Sequence, residues 1–590
     1  MSAGKPIRER VQEIVADRQR SATERLHALF AEAWAWEMRE FPDRATWNGW
    51  KGEDHRWCDR SRAAIERRRG ELGAIDAAAR QLPRGELAAA EQLHLDLFLR
   101  EFGDAVTEAK YPAECFAITQ MDGIHQDPVQ LMAVAPAETT KEREDALARL
   151  EALPRLFEQS TELLRHGLSL GVTPPRITLR DVPQQIDNLC VAEPLESPLL
   201  AAFAGADPKQ ADPKLTAAAR EVFTQKIVPA LRELRRFVVE HYLPGCRETT
   251  GWRDLPDGEA WYAFKVREQT TTDLTPREIH ELGLEEVKRI RALMDATIRD
   301  AGFPADSEAD FAAWCHFLRS DRRFYCSSAD ELLREYRDLC KRIDPQLPKL
   351  FGRLPRLPYG VIEVPAFSAE SQTTAYYLPG SPEGARPGWF YANTSLLDSR
   401  PRWEMEALTL HEAVPGHHLQ LALAQELDLP EFRRHAGHNA YIEGWALYAE
   451  SLGDELGCYR DPWSRFGQLS FEMWRAIRLV VDTGLHAFGW SRQRAIDWFA
   501  ANTGKPLHDI TVEVDRYLVW PAQALSYKIG ELEIRKLRRA AERELGSHFD
   551  RRAFHDELLG QGALPLDLLT RRLHAWIDAL AQARRKERSP

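Results

Sequence analysis

The chain has 590 residues, of which 44% are hydrophobic and 29% charged, a composition typical of a globular protein with a large core. Its net charge of −12 argues against nucleic acid as a partner, because phosphate binding needs a concentrated basic surface. There is no apolar leader or membrane-length apolar run, and the eight cysteines are scattered, which together predict a cytoplasmic protein with reduced thiols and no membrane partner.

Helical periodicity dominates the chain and predicts a mainly α fold. Residues 140–171 carry leucines at steps of three and four and end in glycine. Another predicted helix, 276–302, has Thr275 as a plausible N-cap and Pro276 at its first position. The same periodicity predicts helices near 8–38, 214–242, 329–343, 403–427, 440–457, 465–487, 491–503, 511–545 and 565–585.

The main β-like region is 356–398. Short runs such as "GVIEV", "TTAYYL" and "GWFYANT" are separated by "PGSPEGARPG", which is typical of a hairpin connection. An exposed edge strand can hold an extended peptide by main-chain hydrogen bonds. Tyr376, Tyr377, Arg386 and Asn393 lie in this region and are candidates for substrate contact, with stabilisation of the loops as the alternative.

The stretch "HEAVPGHH" (411–418) follows the β-like region and contains metal-binding residue types. Histidines at i and i+4 of a helix can bind one zinc ion, and a glutamate at i+1 can act as general base. His411 and Glu412 fit the first half of this pattern, but Pro415 occupies the position of the second histidine.

Two later histidines are candidates for the second ligand. On a straight helix His418 would lie about 10.5 Å along the axis from His411, and His417 about 120° off its face. Pro415 removes a backbone N–H and clashes with the carbonyl four residues back, and Gly416 adds flexibility. We therefore expect a bulged or kinked helix that swings either histidine towards His411.

A third ligand is expected from the next helix, in "HNAYIEGWALYAESLGDELG" (438–457). Glu443 lies 25 residues after His418, a distance that suits two antiparallel helices joined by a loop. Glu450, His435 and His438 are less attractive competitors. The three predicted ligands leave a position open for water, as in zinc hydrolases.

These motifs resemble the domain-of-unknown-function family 885, whose members carry His-Glu-x-x-Pro-Gly-His-His. The resemblance extends to "FPDRATWNGW" (41–50), "AYYLPGSPEGARPGWFYANT" (375–394), "YIEGWALYAE" (441–450), "RLVVDTGLHAFGW" (478–490) and "RYLVWPAQALSYKIG" (516–530). That family is similar in layout to helical gluzincin metallopeptidases such as angiotensin-converting enzyme, thimet oligopeptidase and carboxypeptidase Taq.

The gluzincin resemblance implies a ligand set and an architecture. Matching Gly416-His417 to the Gly-His of those enzymes makes His417 the second ligand and Glu443 the third, with His418 beside the site or as an alternate ligand. Two extra residues separate the His-Glu from the Gly-His here. The resemblance also implies one catalytic domain over 1–590, with 1–350 forming a helical wall of a deep cleft and 351–590 binding metal and substrate.

Late residues are implied to contact the substrate. In the gluzincins a late tyrosine stabilises the oxyanion and a cation binds the substrate carboxylate; here Tyr517 and Tyr527 are the candidate phenols, and Arg516 and Lys528 the candidate cations. Either tyrosine could instead be a core aromatic residue.

A second set of candidates recurs at steps of three or four in "WRAIRLVVDTGLHAFGW" (474–490). Arg475, Arg478, Asp482 and His486 could line one wall of the cleft. Asp482 and His486 could equally form a structural hydrogen-bonded pair, or orient a ligand.

The sequence therefore predicts a zinc-dependent hydrolase, most simply a metallopeptidase that cleaves short peptides with Glu412 as general base. The alternatives are a metal-dependent amidohydrolase acting on a non-peptidic or modified substrate, and a non-catalytic metal-binding protein. Retention of Glu412 argues against the last, because a structural site has no use for a general base.

Overall fold

The structure, a computed structural model, describes residues 5–204, 212–365, 369, 373–380 and 386–587. Helices form most of this part of the chain, so the predicted mainly α fold is confirmed. The helices up to residue 270 are α1 (Ile7–Ala16), α2 (Ala22–Glu40), α3 (Pro42–Trp47), α4 (Arg62–Ala79), α5 (Ala89–Glu108), α6 (Asp127–Val134), α7 (Thr140–Leu170), α8 (Val182–Leu189), α9 (Ala201–Ala204), α10 (Pro213–Val222), α11 (Val228–Phe237), α12 (Leu243–Gly245) and α13 (Gly258–Thr270).

The helices after residue 270 include those that carry the predicted site. They are α14 (Pro276–Asp300), α15 (Glu308–Ser320), α16 (Ala329–Ile343), α17 (Met405–Glu412), α18 (His417–Gln425), α19 (Glu431–Arg434), α20 (Asn439–Ser451), α21 (Gly453–Leu456), α22 (Pro462–His486), α23 (Arg492–Ala501), α24 (Leu507–Val519), α25 (Ser526–Leu545), α26 (Arg551–Leu559) and α27 (Leu566–Glu587).

Two predicted helix starts are confirmed by their caps. The side chains of Thr139 and Thr275 each accept a hydrogen bond from the backbone N–H three residues on. The glutamate carboxylate at that position accepts a hydrogen bond from the backbone N–H of the threonine. Each cap thereby satisfies orphan donors of the first turn. Gly171 ends α7 with a φ of 70°, a left-handed conformation that suits glycine.

The internal contacts of the chain divide it into two compact units. The first comprises the described residues up to Trp261 together with Pro430–His435, and the second comprises Tyr262–Leu429 and the described residues from Ala436 onward. The predicted division at residue 350 lies inside the second unit, which contains all the candidate site residues except His435, one of the competing candidates for the third ligand. The assignment of the whole chain to one catalytic domain stays a prediction.

The first unit is built around α7. Leu150, Leu153, Phe157 and Leu164 on this helix are buried in one continuous core. Helices α10 and α11 pack against α7. They contribute apolar side chains such as Val222 and Leu231 to that core. The spacing of these α7 residues matches the apolar stripe read from the sequence.

A small sheet in the second unit has the strand order β1-β3-β2. Strands β2 (Ala375–Leu378) and β3 (Gly388–Ala392) pair antiparallel, as the predicted hairpin requires, with Tyr377 opposite Phe390. Strand β1 (Tyr359–Glu363) pairs parallel to β3 on its other side. Helix α16 contacts β1 and α17 contacts β2, so the sheet is fixed against the start of the predicted metal helix.

Helices α20 and α25 approach each other at two glycines. A Cβ on Gly444 would lie 2.5 Å from the backbone of Gly530, and a Cβ on Gly530 would lie 1.8 Å from the carbonyl oxygen of Ala440. Only glycine fits at these positions, because any side chain would push the backbones apart. This contact brings the helix with Glu443 next to the helix with Tyr527.

None of the described helices combines the length and the apolar character that crossing a membrane would need.

Candidate metal centre

The predicted metal helix is interrupted rather than bent. Helix α17 ends at Glu412 and α18 begins at His417, and the Val414–Pro415 peptide bond between them is cis. Gly416 is required here, since a Cβ would lie 1.9 Å from the carbonyl oxygen of His411. The expected distortion at Pro415 is therefore present as a complete break, which places His417 at the start of a new helix.

The break brings three predicted ligands together. The Oε2 atom of Glu443 lies 3.6 Å from His411 Nε2 and 3.7 Å from His417 Nε2. One nitrogen or oxygen atom from each of the three residues lies within 4.8 Å of the others, and this is the only such group of three histidine, cysteine or acidic residues in the described part of the chain. Helix α20 supplies Glu443, while α17 and α18 supply the histidines.

The three residues of this cluster differ in charge. Burial lowers the pKa of His417 to about 4, which keeps its ring neutral. Burial also disfavours charge on His411 and Glu443. The carboxylates of Glu443 and Glu450 outweigh burial and raise the pKa of His411 to about 9, and the two histidines with Arg475 lower the pKa of Glu443 to about 2. A metal ion in the same place would displace the His411 proton, since a ligand must offer a lone pair.

Glu450 orients His411. Its Oε1 atom lies 2.8 Å from His411 Nδ1, and the Glu450 side chain is fully buried. Arg475 approaches the same oxygen at 3.5 Å. A carboxylate on one ring nitrogen fixes the tautomer and leaves the other nitrogen for a metal. In the sequence Glu450 ranked as a competing ligand; its spacing of seven from Glu443, two turns along one helix face, is the signal for this orienting role.

His418 faces a different direction from His417. Its Nδ1 atom lies 2.8 Å from the hydroxyl of Tyr377 on β2, and its ring lies 4.5 Å from that of Tyr359 on β1. Of the two histidines left open by the sequence, the structure brings His417 to His411 and turns His418 towards the sheet. Tyr377 therefore holds a histidine that adjoins the cluster.

Glu412 is the last residue of α17 and is 7% exposed. Burial raises the pKa of its carboxyl to about 7; His411 and Arg475 oppose this effect and the Glu443 carboxylate adds to it. A carboxyl group in such surroundings can take up and release a proton near neutral pH.

A largely buried group of cations and phenols lies on α22, α24 and α25. The Nε atom of Arg478 donates to the hydroxyl of Tyr517 at 3.2 Å, and its guanidinium lies 4.4 Å from the centre of the Tyr527 ring. Arg516 donates to Glu513 at 3.0 Å and to Gln523 at 2.8 Å. Tyr517 is fully buried in the core, as the alternative interpretation of this residue required.

Tyr527 has an electrostatic link to the metal cluster. Burial raises the pKa of its hydroxyl, and the carboxylate of Glu443 raises it further. The Nη1 atom of Arg478 is buried without a hydrogen-bond partner among the described residues. Of the two predicted phenols, Tyr527 is thus the one whose surroundings include a metal-ligand candidate.

Asp482 and His486 do not pair with each other, but each forms a hydrogen bond with a backbone group. Asp482 accepts hydrogen bonds from the Tyr262 hydroxyl at 2.5 Å and from the N–H of Ala522 at 3.0 Å. His486 Nε2 lies 2.9 Å from the carbonyl oxygen of Tyr517. Their spacing of four does place them on one helix face, but that face contacts the last turn of α24 and the residues that follow it. Both are fully buried, and their contacts support a structural role.

Lys528 has no donor to spare for a substrate. Its ammonium group lies 2.9 Å from Glu286, 2.8 Å from Glu472 and 2.7 Å from Glu531, and the side chain is fully buried. An ammonium has three donors, and three carboxylates engage them. The substrate-binding role predicted for Lys528 therefore has no support in these contacts. Two of the three carboxylates, those of Glu286 and Glu472, come from helices distant in sequence, so the sequence pattern around Lys528 does not reveal them.

Asn393 stabilises the loops beside the sheet. Its Nδ2 atom donates to the carbonyl oxygens of Ala369 at 2.7 Å and Thr373 at 3.1 Å, and the residue is fully buried. This matches the alternative interpretation of Asn393, that of a loop-stabilising residue.

Trp445 is a residue of the site that the sequence analysis did not identify. Its indole Nε1 donates to the carbonyl oxygen of Pro415 at 2.9 Å. It follows Glu443 by two residues in "YIEGWALYAE", and nothing in that pattern predicts its partner.

Two solved structures are similar to this fold. The crystal structure of a "putative lipoprotein" from Colwellia psychrerythraea has a TM-score of 0.87 and 27% sequence identity, covering 95% of this chain and 100% of that one. A "putative lipoprotein of unknown function" from Shewanella oneidensis has a TM-score of 0.75 and 18% identity, covering 94% and 99%. The second likeness shows the fold alone. No curated protein gave a significant match to the sequence.

The predicted cytoplasmic location is contradicted by the Colwellia psychrerythraea neighbour, which is described as a "putative lipoprotein". The prediction rested partly on scattered cysteines, and all eight are indeed free. Free, spaced cysteines do not identify a compartment, because a protein with a large core needs no disulfides on either side of a membrane.

Residues 42–573 match the family model DUF885, described as a bacterial protein of unknown function, and the chain belongs to that family.

Proposed function

We propose that this protein is a zinc-dependent hydrolase, most simply a metallopeptidase of short peptides. His411, His417 and Glu443 would hold the metal, and Glu412 would act as general base. The observation that carries the proposal is the convergence of the three ligand atoms within 4.8 Å, with Glu412 adjoining His411 at the end of the same helix.

The donor set fits zinc. Tetrahedral zinc with bonds of about 2.0–2.1 Å to nitrogen or oxygen separates its ligand atoms by roughly 3.4 Å. The separations of 3.6 and 3.7 Å around Glu443 Oε2 are close to this value. That oxygen is buried and has no hydrogen-bond partner among the described residues, so a cation would satisfy it.

Two histidines and one carboxylate are the protein ligands of several catalytic zinc sites, which keep a fourth position open. When bound, zinc lowers the pKa of water and polarises a carbonyl group. The Glu412 carboxylate would take a proton from the attacking water and pass it to the nitrogen of the leaving amine. A general base of this kind is what separates a hydrolase from a structural metal site.

The substrate would be positioned by the group around Arg478. Its unpartnered Nη1 offers a donor to a carboxylate or carbonyl oxygen, and the hydroxyl of Tyr527 offers another near Glu443. The resemblance to helical gluzincins supports peptides as the substrate class, and this step is an analogy of fold and motif.

The test combines metal content with turnover. Purified wild-type protein should hold about one zinc per chain and cleave members of a short-peptide library, and Glu412→Gln should keep its zinc but lose turnover by roughly 10²–10⁴-fold. Glu406→Gln, on the same helix α17, is the matched control and should behave as wild type. Equal turnover by wild type and Glu412→Gln, or a chelator-insensitive protein without zinc, would overturn the proposal. Turnover of acylated amines but not of peptides would instead favour the amidohydrolase.

A further inference from the structure

The break between α17 and α18 raises a question of register. His417 and His418 are consecutive, so either could in principle reach the metal position. Successive residues on a helix point about 100° apart. Exchanging one histidine for the other would therefore require α18 to rotate by about that angle, and some contact must fix the rotation observed.

Backbone bonds hold only part of the connecting segment. The N–H of His418 donates to the carbonyl oxygen of Ala413, and the N–H of Gln420 donates to that of Gly416, each at 3.1 Å. Pro415 has no N–H of its own. Its carbonyl oxygen accepts a hydrogen bond from the indole of Trp445 at 2.9 Å, which is a side-chain contact from a different helix.

Trp445 is itself held firmly. The residue is fully buried, and its ring contacts the rings of Phe351, Tyr448 and His555 at centroid distances of 6.1, 5.6 and 5.9 Å. An indole packed in this way has one orientation, because interiors are close-packed. The Nε1 atom is thus a fixed reference point for the Pro415 carbonyl.

The same helix positions the other ligands. On α20, Glu443 lies two residues before Trp445, and Glu450, which binds His411 Nδ1, lies five residues after it. One rigid helix thereby supplies a ligand, orients the first histidine and fixes the segment that leads to the second.

A second contact retains His418 on the sheet side. The Tyr377 hydroxyl lies 2.8 Å from His418 Nδ1, and the ring of Tyr359 packs on the imidazole. Rotating α18 to present His418 to the metal would break both this bond and the bond between Trp445 and Pro415. The two contacts therefore favour the same register.

We propose that Trp445 is a positioning residue which, together with Tyr377, selects His417 over His418 as the second metal ligand. This inference rests on the proposed zinc site. It assigns to the Trp445 indole N–H a function in metal binding, although the residue does not touch the metal position itself.

The first experiment measures zinc affinity of the full-length protein by competition with a chromophoric chelator. Trp445→Phe should weaken zinc binding roughly 10–100-fold, the usual cost of losing a group that orients a ligand. Trp314→Phe is the matched control, since Trp314 is also a buried tryptophan but its Nε1 has no hydrogen-bond partner among the described residues. The control should bind zinc within about threefold of wild type.

A second readout reports the ligand geometry. With Co²⁺ in place of zinc, Trp445→Phe should change the visible absorption bands of the ion, and Trp314→Phe should leave them unchanged. In Trp445→Phe/Tyr377→Phe, replacement of His417 by alanine should leave measurable Co²⁺ binding through His418, whereas the same replacement in the wild-type background should abolish it.

The outcomes separate this inference from the proposed function. If wild type binds no zinc, the proposed function fails and the inference falls with it. If wild type binds zinc and Trp445→Phe binds it equally tightly with the same Co²⁺ spectrum, the inference alone is overturned. If Trp445→Phe does not fold, Tyr377→Phe decides: weaker zinc binding and an altered spectrum support the selection, and wild-type values refute it.

Discussion

The Nδ1 atom of His411 and the Oε1 atom of Glu450 lie 2.8 Å apart in a fully buried setting on facing helices. Since Nδ1 is engaged, the Nε2 atom of the same ring is directed to Glu443 and His417. The relationship ties the predicted first ligand to the helix that carries the predicted third.

Replacing Glu450 tests the function of this hydrogen bond. We expect Glu450→Gln to weaken zinc binding by roughly 10–100-fold, because the neutral amide orients the imidazole less strongly than a carboxylate does. The control is Glu455→Gln on the neighbouring α21, which removes a carboxylate that pairs with Arg538 of α25. This variant should bind zinc as wild type does. Zinc affinities are compared by chelator competition. Equal affinities for both variants would contradict the orienting role of Glu450.

The two consecutive histidines should differ sharply. His417→Ala removes a predicted ligand and should weaken zinc binding by at least about a hundredfold, whereas His418→Asn removes a residue beside the site and should cost at most about tenfold. Isothermal titration of metal-free protein with zinc gives both values. A larger loss for His418→Asn than for His417→Ala would reverse the ligand assignment.

The buried carboxyl of Asp482 should make stability depend on pH. Burial raises its pKa to about 7, against hydrogen bonds from Tyr262 and Ala522 that act to lower it. In the unfolded chain the value is about 3.9, so the folded state holds the proton more tightly. This stabilising contribution is complete below about pH 4 and is lost as the pH rises through about 7.

Asp482→Asn should remove this loss, because the amide stays neutral. From pH 5 to pH 8 the free energy of unfolding of wild type should fall relative to that of the variant by roughly 2.5 kcal/mol. Urea unfolding at pH 5, 6, 7 and 8 measures the difference, with Asp497→Asn on α23 as a control expected to follow wild type. Parallel curves for wild type and Asp482→Asn would refute the proposed titration.

The ion network of Lys528 should be required for folding stability. Lys528→Met leaves three buried carboxylates without their central cation and should reduce the free energy of unfolding by about 3–5 kcal/mol. Lys536→Met on the same helix removes an exposed ion pair with Glu533 and should change stability by at most about 1 kcal/mol. Similar losses in both variants by thermal or urea unfolding would argue against a special role for the buried network.

Local signals predicted much of the architecture. The capped starts of α7 and α14, the β2–β3 hairpin and the disturbance at Pro415 all follow from residues close together in sequence. Strand β1 was recognised, but its parallel pairing with β3 depends on a long connection that local patterns do not encode.

The candidate site was predictable to a smaller extent. The types and spacing of His411, Glu412 and Glu443 indicated a metal cluster, because ligand chemistry limits the choice of residues. Spacing also put Asp482 and His486 on one helix face, but which neighbour meets that face is decided by tertiary packing. The partners of Lys528 likewise lie on α14 and α22 as well as on its own helix.

The contact between Gly444 and Gly530 has a consequence for the chemistry. Glu443 and Tyr527 each lie within three residues of it, on helices whose backbones meet without an intervening side chain. The spacing between a metal ligand and a candidate proton donor is thus set by main chain against main chain. A single methyl group added at either glycine would alter that spacing.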